Sequence, residues 1–260
     1  MNNFFITEYF DWKPKRVSYL DRILSRGLAR LGFQNKVYLA AAIDDLVEKI
    51  RGKPTAQVES GIMTNVEQRM NMYHLVSQVL FYDVEGDLVE LGCNNGQSSV
   101  LIQQLIVESK KPKILHLYDS FEGLPALGDS DGVSYREGEL KTTDDVVRHN
   151  FKKYGLSLPQ IHKGWFSDTL PHELPEKICF AYLDGDLYES ILISLKYVYP
   201  KLSKGAICLI DDYCDPEIYP RGWNLLPGVK KACDEFFADK PEKIDYIYSG
   251  SYSHGCFRKL

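Results

Sequence analysis

The segment DLVELGCNNGQSS, residues 87–99, decides how this chain reads. Its run LVEL (88–91) is short, mostly apolar and bounded by Asp87 and Gly92, as a buried strand would be. Gly92 and Gly96 bracket a turn, and a helical stretch near 97–108 follows. Glycines let such a turn close tightly and let backbone approach a ligand. The spacing is G-x-x-x-G, not the G-x-G-x-x-G of dinucleotide binders, and the segment lacks the lysine of a phosphate-cradling loop. Glu90, just before the turn, would repel a pyrophosphate and suits the ammonium of an amino-acid moiety better. Taken alone, the turn is equally at home as a structural strand-to-helix connection.

Downstream, the same rhythm repeats. Apolar runs at 114–118 (ILHLY), 178–183 (ICFAYL) and 206–210 (AICLI), with a shorter QIHK run at 160–163, alternate with helical stretches near 143–154, 187–199 and 227–238. Pro227 suits a first helical turn. Alternation of this kind predicts a parallel sheet with helices on both faces. The chain closes on two strand candidates, DYIYS and GCFRK, joined by a Ser/Gly/His turn with no helix between them, which predicts an antiparallel strand at the end. Upstream, the first eighty residues read as helical: Leu20, Ile23, Leu24, Leu28 and Leu31 recur at helical spacing, as do Leu39, Ile43, Leu46, Val47 and Ile50. A third helix is predicted over 65–81 with Val66, Met70, Tyr73, Val76 and Leu80 inward, after a loop at 52–62.

In an open parallel sheet, ligands bind beyond the carboxyl ends of the strands. Acids fall there repeatedly. Glu90 closes the first run, Asp119 follows the second, Asp184 and Asp186 follow the ICFAYL run, and Asp211 and Asp212 follow AICLI. Their convergence on one crevice is the main functional signal in the sequence. Asp119 lies 23 residues after Gly96, where an acid in such folds holds ribose hydroxyls, although an Asp-Ser turn would also explain it. Asp186 has an alternative as well, because Asp186-x-x-Glu189 resembles a capping box. Adjacent acids after a buried strand repel one another, and a bound cation removes that repulsion. Three carboxylates with further oxygens match the preference of Mg²⁺.

The bulk numbers bound the rest. A chain of 260 residues accommodates one large α/β domain with additions, and a net charge of −5 argues against a nucleic-acid partner. No stretch is apolar for long enough to span a membrane, and residues 1–16 lack the pattern of a secretion signal. The six cysteines are scattered without a CxxC pair, as expected of reduced cysteines in a cytoplasmic protein, and give no support for zinc.

The segments DLVELGCNNGQSS, YDSFEGLP (118–125), GWFSDTLP (164–171), YLDGDLYES (182–190), IDDY (210–213) and LPGVKKACDEF (226–236) resemble the macrocin (TylF-like) O-methyltransferase family of class I methyltransferases. The resemblance runs from about residue 60 to the C-terminus, while residues 1–55 match no recognisable pattern. It implies a Rossmann-like seven-stranded sheet, parallel with an antiparallel last strand, over 61–260. Residues 1–60 would be a helical extension serving as a lid or an oligomer interface, since family members are often homo-oligomers. It further implies S-adenosyl-L-methionine as cofactor and Mg²⁺-dependent methylation of a sugar hydroxyl. Carried over by position, Asp184, Asp211 and Asp212 would ligate the metal and Asp186 would be the general base. Glu90 and Gly92 would line the methionine end of the cofactor and Asp119 would hold the ribose, with Gly96, Ser98 and Ser120 also among the cofactor-binding residues. Trp165, Phe166 and Asp168 would lie near adenine, with Met63 and Thr64 matched more loosely. The six histidines match no catalytic position and read as structural or surface residues.

A sugar hydroxyl needs help to lose its proton near neutral pH, and a divalent metal supplies it. A substrate with vicinal hydroxyls could chelate that metal, so a small molecule or glycan bearing a diol is expected. The loop 213–225, rich in Tyr, Pro and Trp, follows the metal acids and has the character of a lid. Tyr213, Tyr219, Arg221 and Trp223 are its candidates for substrate contact, the alternative being a surface loop anchored by its aromatics. Three rival readings stand beside this one. A catechol-type enzyme would use the same metal logic; a nicotinamide dehydrogenase is opposed by the glycine spacing; and a non-catalytic binding or assembly protein is opposed by the full set of acids.

Overall fold

The runs read as buried strands become the middle of one sheet. In the computed structural model, which describes residues 64–260 apart from residue 221, five strands are parallel: β1 (Asp87–Leu91), β2 (Leu115–Asp119), β3 (Gln160–Lys163), β4 (Ile178–Leu183) and β5 (Leu202–Ile210). Two more complete it, β6 (Asp245–Ser249) and β7 (Tyr252–Arg258), giving the order β3-β2-β1-β4-β5-β7-β6. β7 is antiparallel to both its neighbours, as the final helix-free pair of strands predicts. β4 lies centrally and is buried at all six positions, which is why ICFAYL carries no polar alternation.

Helices α1 (Val66–Phe81), α2 (Gln97–Ser109) and α3 (Asp144–Lys153) pack in series, and so do α4 (Phe166–Glu173), α5 (Tyr188–Val198) and α6 (Pro227–Phe237). The second series shares its core with the sheet through Leu170, Leu183, Ile191, Leu195, Ile210, Val229 and Cys233. All six cysteines are free and buried, in keeping with small apolar core residues.

The structure differs from the sequence reading at four places; one is β7, which starts at Tyr252 and so takes in part of the stretch expected as a Ser/Gly/His turn. β5 starts at Leu202, not 206: Leu202 pairs with Ile178, and the partly exposed Ser203–Gly205 lie in an irregularity before pairing with β4 resumes at Ile207. α4 has no counterpart among the predicted helices: its N-cap is Trp165, without a side-chain cap, and Pro171 lies inside it. α1 covers the expected span with a rotated face. Met72, Val76, Val79 and Leu80 are buried together with the polar Gln68, whereas Val66 and Met70 are exposed. Gln68 is inward because it has a partner there, described below. The two upstream stripes, the 52–62 loop, Met63 and Arg221 lie outside the described residues.

Candidate active site

The sheet ladder runs one step past the strand ends and sets the acids side by side. Gly92 N donates to Tyr118 O at 2.8 Å, Asp184 N to Leu91 O at 2.8 Å, Asp211 N to Leu183 O at 2.9 Å, and Gly164 N to Asp119 O at 2.9 Å. Since β2, β1, β4 and β5 are neighbours, the acids after these strands form one crescent along the carboxyl edge. The backbone there is unusual. Gly92, Asn94, Gly96, Phe121, Asp186 and Asp212 all have positive φ, a conformation that non-glycine residues hold only when their surroundings enforce it. Gly92 is obligatory on a second ground, because a Cβ there would lie 1.8 Å from Asp184 O.

On the β1–β2 side, every carboxylate is met by donors. Glu90 is fully buried; Ser99 Oγ donates to its Oε2 at 2.5 Å and Ser98 Oγ to its Oε1. Burial nevertheless dominates and raises the Glu90 carboxyl to about 7, against the serine hydrogen bonds. Asp119 accepts from the backbone of Asn94 (2.8 Å) and Phe121 (2.7 Å), so it fastens the glycine turn to the end of β2. Its carboxyl is raised by burial, with these amides opposing. The Ser120 hydroxyl turns back into its own loop, accepting from Glu122 N and donating to Gly123 O. Beyond β3, Trp165 is 39% exposed, Phe166 is half-buried against the core and Asp168 is exposed. Thr64 O accepts from Arg69 at the start of α1.

The β4–β5 side is different. Asp184, Asp186 and Asp212 each bring a carboxylate oxygen within 4.8 Å of the others, and they form the one such group of metal-capable side chains among the described residues. Burial, and then repulsion led by the neighbouring charge of Asp211, pushes Asp184 and Asp212 well above the usual carboxylate range and Asp186 to about 7. Asp211, expected in this group, is engaged otherwise. Its Oδ1 lies 2.8 Å from His254 Nε2 and accepts from Gln68 Nε2 at 3.1 Å. Burial alone would raise its carboxyl, but the charge of His254 and polar contacts from His254, Tyr182 and Gln68 hold it below the usual range. The capping alternative for Asp186 is answered by α5 itself. That helix begins after Leu187, which makes no side-chain cap, and the Tyr188 N–H is instead held by Asp131 Oδ1 at 2.7 Å, from 57 residues away.

Two loops wall the acids. The 213–226 loop sends Trp223 against the Tyr252 ring at 5.4 Å and bonds Trp223 N to Ser251 O at 2.8 Å. Tyr219 packs instead on Tyr246 and Tyr248, its hydroxyl donating to Gly250 O, and Tyr213 is buried beside Gly255 and Lys230. The second wall, residues 120–143, was not anticipated. Asp131 ties it to α5, Ser134 Oγ donates to Leu225 O at 3.0 Å, and Lys231 Nζ to Ser130 Oγ at 2.7 Å. It carries Tyr135, whose hydroxyl is raised strongly by burial and then by the charges of Asp186, Asp212 and Asp184. Tyr135, Tyr252, His254 and Gln68 are thus site neighbours missed from the sequence. Only contacts between distant segments reveal them, and no local spacing marks them.

A sheet of order 3-2-1-4-5-7-6 with its seventh strand reversed, a glycine turn after β1 and an acid closing β2 is the architecture of a class I methyltransferase. Within that class the chain belongs to the family described as Macrocin-O-methyltransferase (TylF), whose model matches residues 34–236. It is an S-adenosylmethionine-dependent O-methyltransferase. It is 30% identical over 214 residues to mycinamicin III 3''-O-methyltransferase of Micromonospora griseorubida, covering 76% of this chain and 84% of that protein. It is 36% identical over 161 residues to 8-demethyl-8-(2,3-dimethoxy-alpha-L-rhamnosyl)-tetracenomycin-C 4'-O-methyltransferase of Streptomyces olivaceus, covering 58% and 62%. Among solved structures, the O-methyltransferase NovP superposes with a TM-score of 0.64 at 28% identity, covering 75% of this chain and 81% of that one. Among the described residues no helix is long and apolar enough to cross a membrane.

Proposed function

We propose that the enzyme methylates a hydroxyl of a sugar, in a glycosylated natural product or a surface glycan, with a divalent cation such as Mg²⁺ at the acid group. The observation that carries this reading is the cluster of Asp184, Asp186 and Asp212, three partly buried carboxylates without a basic partner among the described residues. Their mutual repulsion is the kind of unfavourable charge that a bound cation relieves, and their donors are all oxygen, which suits Mg²⁺. Asp184 and Asp212 belong both to this cluster and to the ligand set the family implies. Asp211 adjoins them, close enough that its charge raises all three. The relative from Streptomyces olivaceus, whose name includes a rhamnosyl group, supports a sugar as acceptor.

The cation would supply Lewis acidity that makes a sugar hydroxyl easier to deprotonate. The cofactor is the methyl donor. Formation of the new C–O bond and loss of the C–S bond release one proton, and Asp186 is the carboxylate proposed to take it. Relief of the cluster's repulsion favours its ionised, proton-accepting form. Asp119 and the Asn94 amide it fastens are proposed to hold the ribose side, the glycine turn the methionine side, and Trp165 with Phe166 the adenine. Tyr135, Trp223 and Tyr252 offer aromatic faces for the apolar face of a sugar ring and exclude water around the acids. A substrate with vicinal hydroxyls fits a site that must fix one oxygen in line with the methyl group.

The test is calorimetric titration of S-adenosylmethionine, followed by methyl transfer measured by mass on a panel of sugars bearing vicinal diols, with Mg²⁺ or with chelator. Transfer that requires Mg²⁺ and a diol supports the proposal. Transfer that persists in chelator removes the cation from it, and transfer to catechols alone removes the sugar.

A further inference from the structure

Asp211 is held by a line of buried side chains that the chemistry above does not use. His254, on β7, is fully buried, with Nε2 at 2.8 Å from Asp211 Oδ1. Its other nitrogen, Nδ1, lies 2.9 Å from the hydroxyl of Ser249, also fully buried, at the end of β6. That hydroxyl accepts from Asn71 Nδ2 at 2.9 Å, and Asn71 is fixed in turn by Tyr248 O at 3.0 Å. One turn earlier on α1, Gln68 donates to Asp211 directly, while its Oε1 accepts from Asn65 N in the capping box that starts the helix. Three secondary elements therefore converge on a single carboxylate. α1 reaches it through Gln68, and through Asn71 by way of β6 and β7.

This arrangement is out of proportion for packing alone. A buried histidine, serine and glutamine are more readily replaced by apolar residues than kept, unless their hydrogen bonds accomplish something. Each link is in contact with the next, and the line ends at Asp211, next to the acids proposed to hold the cation. Among the described residues, His254 and Gln68 both contact Oδ1, Gln68 lies farther from Oδ2 at 3.5 Å, and the Tyr182 hydroxyl adjoins the same carboxylate. The closest of these contacts thus fall on one oxygen of the carboxylate.

We propose that His254 is a positioning residue: with Ser249 and Asn71 behind it, it orients Asp211 so that one carboxylate oxygen is presented to the cation site. The inference rests on the cation reading above. Carboxylate and imidazole partners of this kind fix the orientation of a ligand, and their loss typically weakens metal binding about 10–100-fold.

The experiment is a Mn²⁺ titration of the full-length protein followed by electron paramagnetic resonance, without cofactor or substrate. His254→Phe, which removes both nitrogens, should weaken Mn²⁺ binding about 10–100-fold. His254→Gln, which can return a donor near the place of Nε2, should recover most of that loss. The cofactor dissociation constant should be unchanged in both variants, and kcat should fall with Mn²⁺ affinity in His254→Phe. A merely structural role predicts a lower melting temperature with Mn²⁺ affinity unchanged, and that result overturns the proposal while leaving the cation reading intact. Absence of Mn²⁺ binding by the wild type would overturn both. If His254→Phe does not fold, Ser249→Ala serves in its place: a severalfold weaker Mn²⁺ affinity supports the line, and wild-type affinity refutes it.

Discussion

The two halves of the acid crescent solve opposite problems with the same residue types. On the β1–β2 side, Glu90 and Asp119 are each met by two donors, from serine hydroxyls or backbone amides. On the β4–β5 side, Asp184, Asp186 and Asp212 crowd one another, and no cationic side chain among the described residues pairs with them. A carboxylate already provided with donors acts as a fixed, directional acceptor, suited to hydroxyls and an ammonium. Carboxylates left to repel one another are a reservoir of unfavourable charge, suited to a cation. One row of strand ends thereby presents two different electrostatic environments.

Removing charge from the crowded half should have the largest effect. Asp212→Asn should lower methyl transfer on the order of a thousandfold, matching the several kcal/mol a divalent ion contributes. Cofactor affinity, which the proposal assigns to the other half, should stay within a factor of about three of wild type, inside the scatter expected for distant sites. The apoprotein should melt at a higher temperature than wild type near neutral pH, because one repelling charge is gone. Mg²⁺ should stabilise the wild type and much less the variant. Equal loss of cofactor binding and transfer would dissolve the distinction between the halves.

The seam between them is Gly92, whose missing Cβ makes room for Asp184 O. Gly92→Ala adds a clash to a strained φ of +89° and should destabilise by roughly 3 kcal/mol or more, read from chemical denaturation. Unlike Asp212→Asn, it should weaken cofactor binding and transfer together.

Glu90 distinguishes the halves by pH. Its carboxyl rises from 4.5 in the unfolded chain to about 7 in the folded one, burial being the cause. The folded state therefore binds the extra proton between those values, and stability falls as pH rises from about 4.5 through 7. The shift corresponds to roughly 3 kcal/mol above pH 7. Glu90→Gln should remove that slope and be the more stable protein at pH 8, while matching wild type at pH 4. A stability profile of the variant that keeps the wild-type slope would assign it to other groups.

How legible these features were in the sequence depended on how local their causes are. The strand ends could be read because apolar runs stop where acids begin, and the ladder then aligns those acids without further instruction. The face of α1 could not, since Gln68 turns inward for a partner 143 residues away. α4 escaped because it lacks a side-chain cap and contains a proline. His254 belongs to the Ser/Gly/His stretch that reads as a turn, with no motif around it; the structure places it on β7, and only the β5–β7 pairing brings it to Asp211. Asp186 shows the converse error of a local signal. Asp186-x-x-Glu189 has the spacing of a capping box, yet the helix takes its cap from Asp131.

That borrowed cap gives the smallest and most specific prediction. Asp131 accepts the Tyr188 N–H at 2.7 Å and the Gly128 N–H at 2.9 Å, so one side chain both starts α5 and folds the 120–143 loop over the acids. Asp131→Ala should lower global stability by only about 1 kcal/mol, the usual worth of an N-cap. Its effect on the reaction should fall on substrate binding, because the loop carries Tyr135 and a released loop no longer closes the wall that Trp223 and Tyr252 begin. KM for the sugar should rise several-fold while Mn²⁺ affinity and cofactor affinity remain at wild-type values. Asp131→Asn, which keeps an acceptor oxygen for Tyr188 N, should recover most of the stability. A fall in Mn²⁺ affinity instead would mean that Asp131 supports Asp186 through the start of α5, placing the loop inside the crowded half of the crescent and not above it.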